Sequence, residues 1–559
     1  INTFTPDYLT SKKLSRSEGQ NIGMTMIQSE NYLTYKFDLK EKHFFELMGG
    51  FSYNRDQLNS IGGSAYGGPT NQIHYVGEEW PALRQDEYGT YEALQSYLSN
   101  QEVQEMMSVF GRLAYNYKHK YLAEFSLRSD GSSVFGSDVR WGTFPAVGLG
   151  WTFSDEPFMK NLWWLSFGKF RASWGRSGQK FNEAYLALGT MTSSNTFLGS
   201  AGLIPGILAN NQLTWEKNDQ YDLGLDLQLF NYRLQVKLDY YYKYSHALLM
   251  QTTTPGNFFL ADKMWNNASA ISNEGIELEV SADIIKHKNW QWTLGFNISH
   301  DKNLFRKSYG GEDLSDKVLG RPVYGIYTYH DEGLVQDETQ IPYYYNSLGK
   351  LVPLNFGNSE NYPLRVGGRK IKDYNQDGTI DYNDKYYAGS TLPAAYGGIS
   401  NSISYKNWKL DIMMNYVIKR KMMNMVKNSA FNFTKNFGTI MADPSKVTFW
   451  QKPGDETDYP SLEFSDQGYI GQFDGDIDSN IENVNYLRLK SVTLSYEMPA
   501  KWFKNRIKGL SLYVTGQNLF LLTNYSGTDP EVVNPYTGKD TGEQYPLNRS
   551  ITFGFNLKF

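Results

Sequence analysis

Apolar and polar residues alternate one by one in this chain, over runs too long for an ordinary soluble sheet. Tyr232, Leu234, Val236, Leu238, Tyr240 and Tyr242 are interleaved with Arg233, Gln235, Lys237, Asp239 and Lys243. Leu223, Leu225, Leu227 and Leu229 alternate with Gly224, Asp226 and Gln228, and Ile276, Leu278, Val280 and Ala282 with Glu277, Glu279, Ser281 and Asp283. Trp290–Ile298, Leu410–Ile418, Phe45–Tyr53 and the terminal Ile551–Phe559 repeat the pattern. A period of two sends one set to each face of an extended strand. Strands of soluble domains average about 5–6 residues. These runs reach roughly 10–15, whereas a strand that crosses a bilayer needs about 9–11. Length therefore favours an all-β, transmembrane antiparallel β-barrel over a soluble sandwich or propeller.

Composition agrees with that reading. Aromatic residues make up 16% of the chain, yet the mean hydropathy is −0.53. No run approaches the ~20 apolar residues of a spanning helix. Strands that show only half their residues to lipid combine these two properties. The net charge of −5 is spread without a basic face, which argues against nucleic acid. The absence of cysteine excludes disulfides and thiolate sites. No charged-then-apolar leader follows Ile1, so the expectation is a piece of a longer protein.

The pattern predicts about 15 strands, near 20–38, 42–58, 105–118, 120–131, 143–154, 163–176, 213–229, 232–250, 269–284, 289–302, 396–405, 407–420, 484–498, 509–522 and 549–559. Gaps after the odd-numbered strands are short, with turns at Glu41, Lys118-His119, Ser154–Leu162, Asn231, His287-Lys288, Asn407 and Pro499–Gly509. Most other gaps are long and rich in Gly, Asn, Asp and Tyr. Short periplasmic turns opposite long extracellular loops are the asymmetry of outer-membrane barrels. An odd strand count cannot close an antiparallel bacterial barrel, so further strands are expected from residues upstream of Ile1 or from another polypeptide.

Several motifs sharpen the assignment: Leu127–Gly136, Arg140-Trp141-Gly142, Phe144-Pro145-Ala146, Asp155–Phe158, Arg171–Gly175, Asn273–Glu277, Gly320–Gly325, Tyr486–Lys490 and Gly516–Leu519. In this order they resemble the SusC/RagA-type TonB-dependent transporters of Gram-negative outer membranes, over essentially the whole chain. The resemblance implies a barrel of about 22 strands, a plug inside it, contact with TonB through the plug, and a SusD-like surface lipoprotein over the extracellular loops. Residues 1–559 then form the C-terminal barrel portion, with about seven strands and the plug missing. Nicking of one protein or synthesis as two chains would give the same sequence. The implied function is energised import of an oligomeric nutrient, glycan or oligopeptide, rather than catalysis. A passive porin or surface-binding barrel is the alternative.

The long loops, among them 304–395, carry the candidate sites. Asp373, Asn375, Asp377, Thr379, Asp381 and Asp384 fall at positions 1, 3, 5, 7, 9 and 12 of a calcium-loop pattern, with Gly378 at the sharp turn of position 6. Asp384 replaces the usual bidentate Glu. The expectation is a structural Ca²⁺, with Mg²⁺ less favoured; an acidic turn closed by its own hydrogen bonds is the alternative. The histidines are scattered, so zinc is not expected. No phosphate loop or nucleophile elbow is present, and the chain is not read as an enzyme. Tyr66, Tyr75, Trp80 and Tyr88 in one loop, and Tyr343–Tyr345 in another, are candidate substrate contacts. Trp290, Trp292 and Tyr240 are candidates for the aromatic girdle that meets membrane lipid.

Overall fold

The computed structural model describes residues 2–4, 15–66, 83–85, 91–93, 95–197, 200–254, 261, 263–314, 317–346, 348–357, 361–432, 443–466, 468–503 and 508–558. Fifteen long strands stand where the alternation places them. They are β1 (Ser15–Leu39), β2 (His43–Tyr66), β3 (Gln95–Tyr117), β4 (Tyr121–Ser132) and β5 (Trp141–Trp151). β6 (Leu165–Gln179), β7 (Glu216–Leu229), β8 (Leu234–Thr253), β9 (Lys263–His287) and β10 (Trp290–Lys307) follow. The last five are β11 (Ala395–Tyr405), β12 (Trp408–Asn424), β13 (Ile481–Met498), β14 (Gly509–Thr523) and β15 (Ser550–Lys558). One sheet takes in these strands and two short ones, Asn2–Phe4 and Lys539–Asp540. Both β1 and β9 run to 25 residues, beyond the ~9–11 that hydrocarbon requires. Among the described residues no helix is long and apolar enough to cross a membrane.

Contacts divide the chain into two compact units. The first comprises Ile1–Gly148, Trp174–Asp219 and His246–Ala268; the second comprises Leu149–Ser173, Gln220–Ser245 and Ser269–Phe559. In the first, β1 to β4 pair antiparallel, and Tyr35, Leu47, Leu113 and Phe125 stand opposite one another in turn. One residue along, Lys36 faces Glu46 with an N···O distance of 3.0 Å.

The second unit makes the period-two argument concrete. Ile285, Trp292, Ile403, Leu410, Leu494, Val514 and Phe553 form one lateral row across β9 to β15. The adjacent row is Asp283, Thr293, Ser402, Asp411, Thr493, Thr515 and Thr552. The polar row bonds to itself. Thr293 donates to Asp283 at 2.8 Å, Ser402 to Asp411 at 2.7 Å, and the Thr493 and Thr515 hydroxyls lie 2.9 Å apart. In the apolar row Leu494 and Phe553 are exposed, 39% and 80%, and the other five side chains are half-buried. So large a continuous oily face fits a hydrocarbon surrounding rather than water.

At the turn ends the rows become aromatic. Trp290 meets Tyr405 at 5.2 Å between ring centroids, and Trp408 meets Tyr496 at 4.7 Å. The Lys406 ammonium lies 5.3 Å from the Tyr405 ring centre. Trp292 sits higher on the same face and donates its indole N–H to Asn401 Oδ1 at 3.0 Å. That bond satisfies the amide oxygen, a polar group in an otherwise apolar lateral row that includes Leu294 and Ile412.

The turns are tight at Lys40-Glu41, Lys118-His119 and Phe230–Tyr232, all with positive φ. The twist of the flanking strands favours positive φ in such short hairpin connections, here of three, three and four residues and without glycine. Among the described residues β15 pairs only with β14, and β1 only with β2 and the short Asn2–Phe4 strand. Each leaves an open hydrogen-bonding edge.

The two rows give a direct test. Leu494→Lys in the full-length protein is expected to cost about 2–4 kcal/mol of assembled stability. Thr493→Lys, one residue away and facing Asp411, should be tolerated. Heat-modifiable gel migration of the membrane-inserted protein reads the difference, and equal effects would refute the assignment of faces.

Candidate functional site

Two long connections of the second unit, 308–394 and 425–480, pack in their described residues around an apolar interior of their own, and a third, 524–549, is tied to them by an ion pair. Phe356, Phe464, Phe473, Ile371, Ile380 and Ile477 are among the fully buried members of that interior. Tyr329 and Phe356 come from the first connection, and Phe431, Phe464 and Tyr469 from the second. Edge-to-face contacts join them: Phe464 and Tyr362 each lie about 5 Å from Tyr469 (4.9 and 5.1 Å). Tyr344 packs against this core, whereas Tyr343 and Tyr345 on either side point outward, 53% and 76% exposed. The strand period thus splits this tyrosine triplet between packing and surface.

One carboxylate ties all three connections. Asp476 accepts from the Lys385 ammonium at one oxygen and from the Lys539 ammonium at the other, both at 2.7 Å. Burial opposes its ionisation, but the two ammonium groups hold the carboxyl below its ordinary range. Burial also pulls Lys539 down. Two residues on, Asp478 accepts from His330 at 2.6 Å, from Tyr386 at 2.7 Å and from the Asp331 amide at 3.0 Å. These bonds likewise outweigh burial and keep its carboxyl low. Deeper still, Arg369 pairs with Asp331, and Arg488 with Asp529 and Glu531. None of these pairs is local in sequence; Arg488 lies in the Tyr486–Lys490 motif, but its partners Asp529 and Glu531 lie outside every motif.

The expected calcium loop forms a compact turn. Asp373 accepts from the Gln376 and Gly378 amides at 2.7 and 2.8 Å, and Asp377 from the Thr379 amide at 2.8 Å. Asn375 donates to Asp377 at 2.9 Å. Asp381 caps the turn Tyr382–Asp384, accepting from the Asn383 amide at 2.7 Å. Asp384 is fully buried and accepts from the Tyr374 and Asp381 amides, each at 2.9 Å. Gly378 adopts φ +82°, and a Cβ there would strike Tyr344 at 2.8 Å, so glycine is required. Among the described residues no three carboxylate or histidine side chains gather around one point at metal-holding reach. The side chains instead close onto backbone amides. Even so, burial pushes the Asp384 carboxyl up, and Asp373 and Asp377 push it the same way. In this arrangement the oxygens are engaged by amides of the turn itself, the closure by internal hydrogen bonds that the sequence left as the alternative.

Of the aromatic candidates between β2 and β3, Tyr75, Trp80 and Tyr88 lie outside the described residues; Tyr66 is the last residue of β2. The first unit has a separate cluster in which Phe135, Phe181, Trp215 and Phe144 pack together. It includes Val134 and Phe135 of the Leu127–Gly136 motif and Phe144 of Phe144-Pro145-Ala146, which therefore contribute packing.

Asp476 and Asp478 both have lowered carboxyls, so their stabilisation is complete above the ordinary value of 3.8. It is lost as pH falls through the lowered values. Asp476→Asn leaves two ammonium groups without their shared partner, a change that costs about 3–5 kcal/mol when such a pair is buried. Limited proteolysis should then cut the three connections together while the long strands stay protected. Cutting in one connection alone would show that Asp476 does not couple them.

Comparison with known proteins accords with this architecture. The model of the family described as TonB dependent receptor-like, beta-barrel, matches residues 2–432. TonB-dependent receptor P3 of Formosa agariphila is 28% identical over 557 residues, covering 95% of this chain and 52% of that protein. TonB-dependent receptor SusC of Bacteroides thetaiotaomicron is 27% identical over 584 residues, covering 100% of this chain and 54% of that one. The RagAB peptide importer in its open-open state shares the fold, with a TM-score of 0.77 at 23% identity, over 100% of this chain and 57% of that one. The chain spans about half the length of the curated relatives it matches. Its long alternating strands and the family match over most of its length agree: the chain belongs to the TonB-dependent receptor-like β-barrel family.

Proposed function

We propose that the protein to which this chain belongs imports an oligomeric nutrient across the outer membrane of a Gram-negative bacterium. The reading rests on one observation, the paired oily and polar rows of the long strands in a chain of this family. A wall with a lipid face and a wet face encloses a passage, and the folded connections offer a surface for capture. In this reading a SusD-like lipoprotein and the loops take up the oligomer. TonB, acting on a plug that other residues supply, then opens the path with energy from the inner-membrane proton gradient. The nutrient is an oligopeptide or a glycan. The RagAB importer carries peptides, which supports the first source without excluding the second.

Uptake of the labelled nutrient by cells making the full-length protein decides between import and a passive porin. Depleting TonB or collapsing the proton gradient should abolish uptake. Uptake that continues unchanged after either treatment would refute the energised mechanism.

We also propose that Asp373, Asn375, Asp377, Thr379, Asp381 and Asp384 hold a structural Ca²⁺. Oxygen donors at loop spacing suit its loose coordination better than the strict octahedron of Mg²⁺. The ion would brace the turn that carries Tyr382 and Lys385. In the metal-free protein the raised Asp384 carboxyl stabilises the turn below its ordinary value, and that contribution is lost as pH rises through the raised one. Added calcium should remove this dependence. Asp373→Ala with Asp377→Ala should eliminate bound calcium by elemental analysis; unchanged metal content would refute these ligands.

A further inference from the structure

The short turns at one end of the long strands carry positive charge with great regularity. Each of the seven contains lysine or arginine, from Lys40 and Lys118 in the first two to Lys406 and Lys501 in the last two. The last three of these turns, at 288–289, 406–407 and 499–508, contain no acidic residue. Turn geometry does not ask for such side chains. Lys40, Lys118 and Lys406 hold φ of +55°, +52° and +54°, a left-handed conformation that glycine or asparagine adopts at less cost.

Two of these turns are latched together. The Lys406 amide donates to the Asn289 carbonyl at 2.8 Å, which holds the turn of Lys288 against that of Lys406. Beside them runs the last row of the oily face, in which Trp290, Tyr405, Trp408 and Tyr496 are lateral partners across β10 to β13. This row lies two residues from that of Trp292 and Leu494, so it shares their side of the sheet. Trp290, Tyr405 and Trp408 are exposed, and the Lys406 ammonium lies over the Tyr405 ring. Neighbouring lysines are already matched: Lys286 lies 3.6 Å from Asp283, and Lys409 2.9 Å from Asp411. Among the described residues no carboxylate pairs with the exposed Lys288 or Lys406.

We propose that Lys288 and Lys406, with Trp290, Tyr405 and Trp408, form a docking site for an anionic phospholipid of the periplasmic leaflet. The proposal rests on the import reading, in which these strands are an outer-membrane wall whose short turns face the periplasm. Continuity and charge select the occupant. The aromatic row continues the hydrocarbon-facing rows, so what covers it has acyl chains. Aromatic rings, apolar bodies with one polar end, mark the depth at which those chains give way to headgroups. Lysine stems reach past the rings, and their ammonium groups accept the lipid phosphate. A zwitterionic headgroup brings a cation of its own to the two lysines, whereas phosphatidylglycerol brings only the phosphate.

Lipid contact, rather than uptake, tests the site, so its failure is separable from failure of the import reading. Full-length protein is folded into vesicles of equal parts phosphatidylglycerol and phosphatidylcholine with matched acyl chains. One lipid at a time carries a photoactivatable group near its glycerol, and crosslinked peptides are mapped by mass. Within residues 285–292 and 403–410, phosphatidylglycerol should crosslink at least about 5-fold more than phosphatidylcholine, the scale of one lysine at a charged lipid surface. Lys288→Gln with Lys406→Gln should lose most of that preference, and Lys350→Gln, in the connection 308–394, should keep it. Equal crosslinking by the two lipids, an unchanged preference in the double variant, or no crosslinks in either segment would overturn the site. So would a preference removed by inorganic phosphate but not by sodium chloride of equal ionic strength, which would identify a bare anion as the ligand. Heat-modifiable gel migration reports folding in every sample, and protein that never folds into the bilayer would overturn the wall reading as well.

Discussion

Lateral register is the constraint on which this molecule depends. In a sheet with one oily face, a slip of a single residue turns every side chain of a strand to the wrong side. Here seven consecutive strands agree on one apolar row and one polar row, from Ile285 and Asp283 to Phe553 and Thr552. The polar row reinforces the agreement through Thr293–Asp283 and Ser402–Asp411 bonds, made only when neighbouring strands are aligned. Exposed ion pairs such as Lys36–Glu46 add little energy of their own. Their value is in marking which neighbour is correct.

The connections obey a different rule. Beyond the bilayer, apolar residues regain the ordinary tendency to avoid water. Phe356, Phe464 and Ile477 therefore gather into an interior like that of a small soluble domain. Charged groups are buried in pairs at Asp331–Arg369 and, beside β13, at Arg488–Asp529. Such pairs are costly to break and specify geometry more than they add stability. Among the described residues, the Asp476 pairs join three segments distant in sequence.

The strands were legible because their signal is local and repeated. β8 from Leu234 and β12 from Trp408 follow the alternation directly, and the turn at Lys118-His119 sits between two such runs. A polar turn at 373–384 was also legible, since its residues and Gly378 lie within twelve positions, as the amide bonds to Asp373 and Asp384 reflect. The pairing around Asp476 was not. Lys385 and Lys539 are brought together by Asp476 from separate connections, and no periodicity relates them. Tyr324 and Tyr536 meet for the same reason, through the return of the last connection toward the first. Likewise, the division of Tyr343, Tyr344 and Tyr345 between core and surface needed the partner strand Leu351–Pro353.

The amide of Asn401 has a consequence that greasy patterning alone cannot supply. Sliding β11 past β10 by two positions would keep every leucine and isoleucine facing outward, so burial preferences would scarcely object. The indole of Trp292 would then miss the Asn401 oxygen, stranding a hydrogen-bond acceptor in a solvent that offers none. A single polar blemish on the oily face thus acts as an alignment pin, detecting the one kind of misregistration to which the surrounding hydrocarbon is blind.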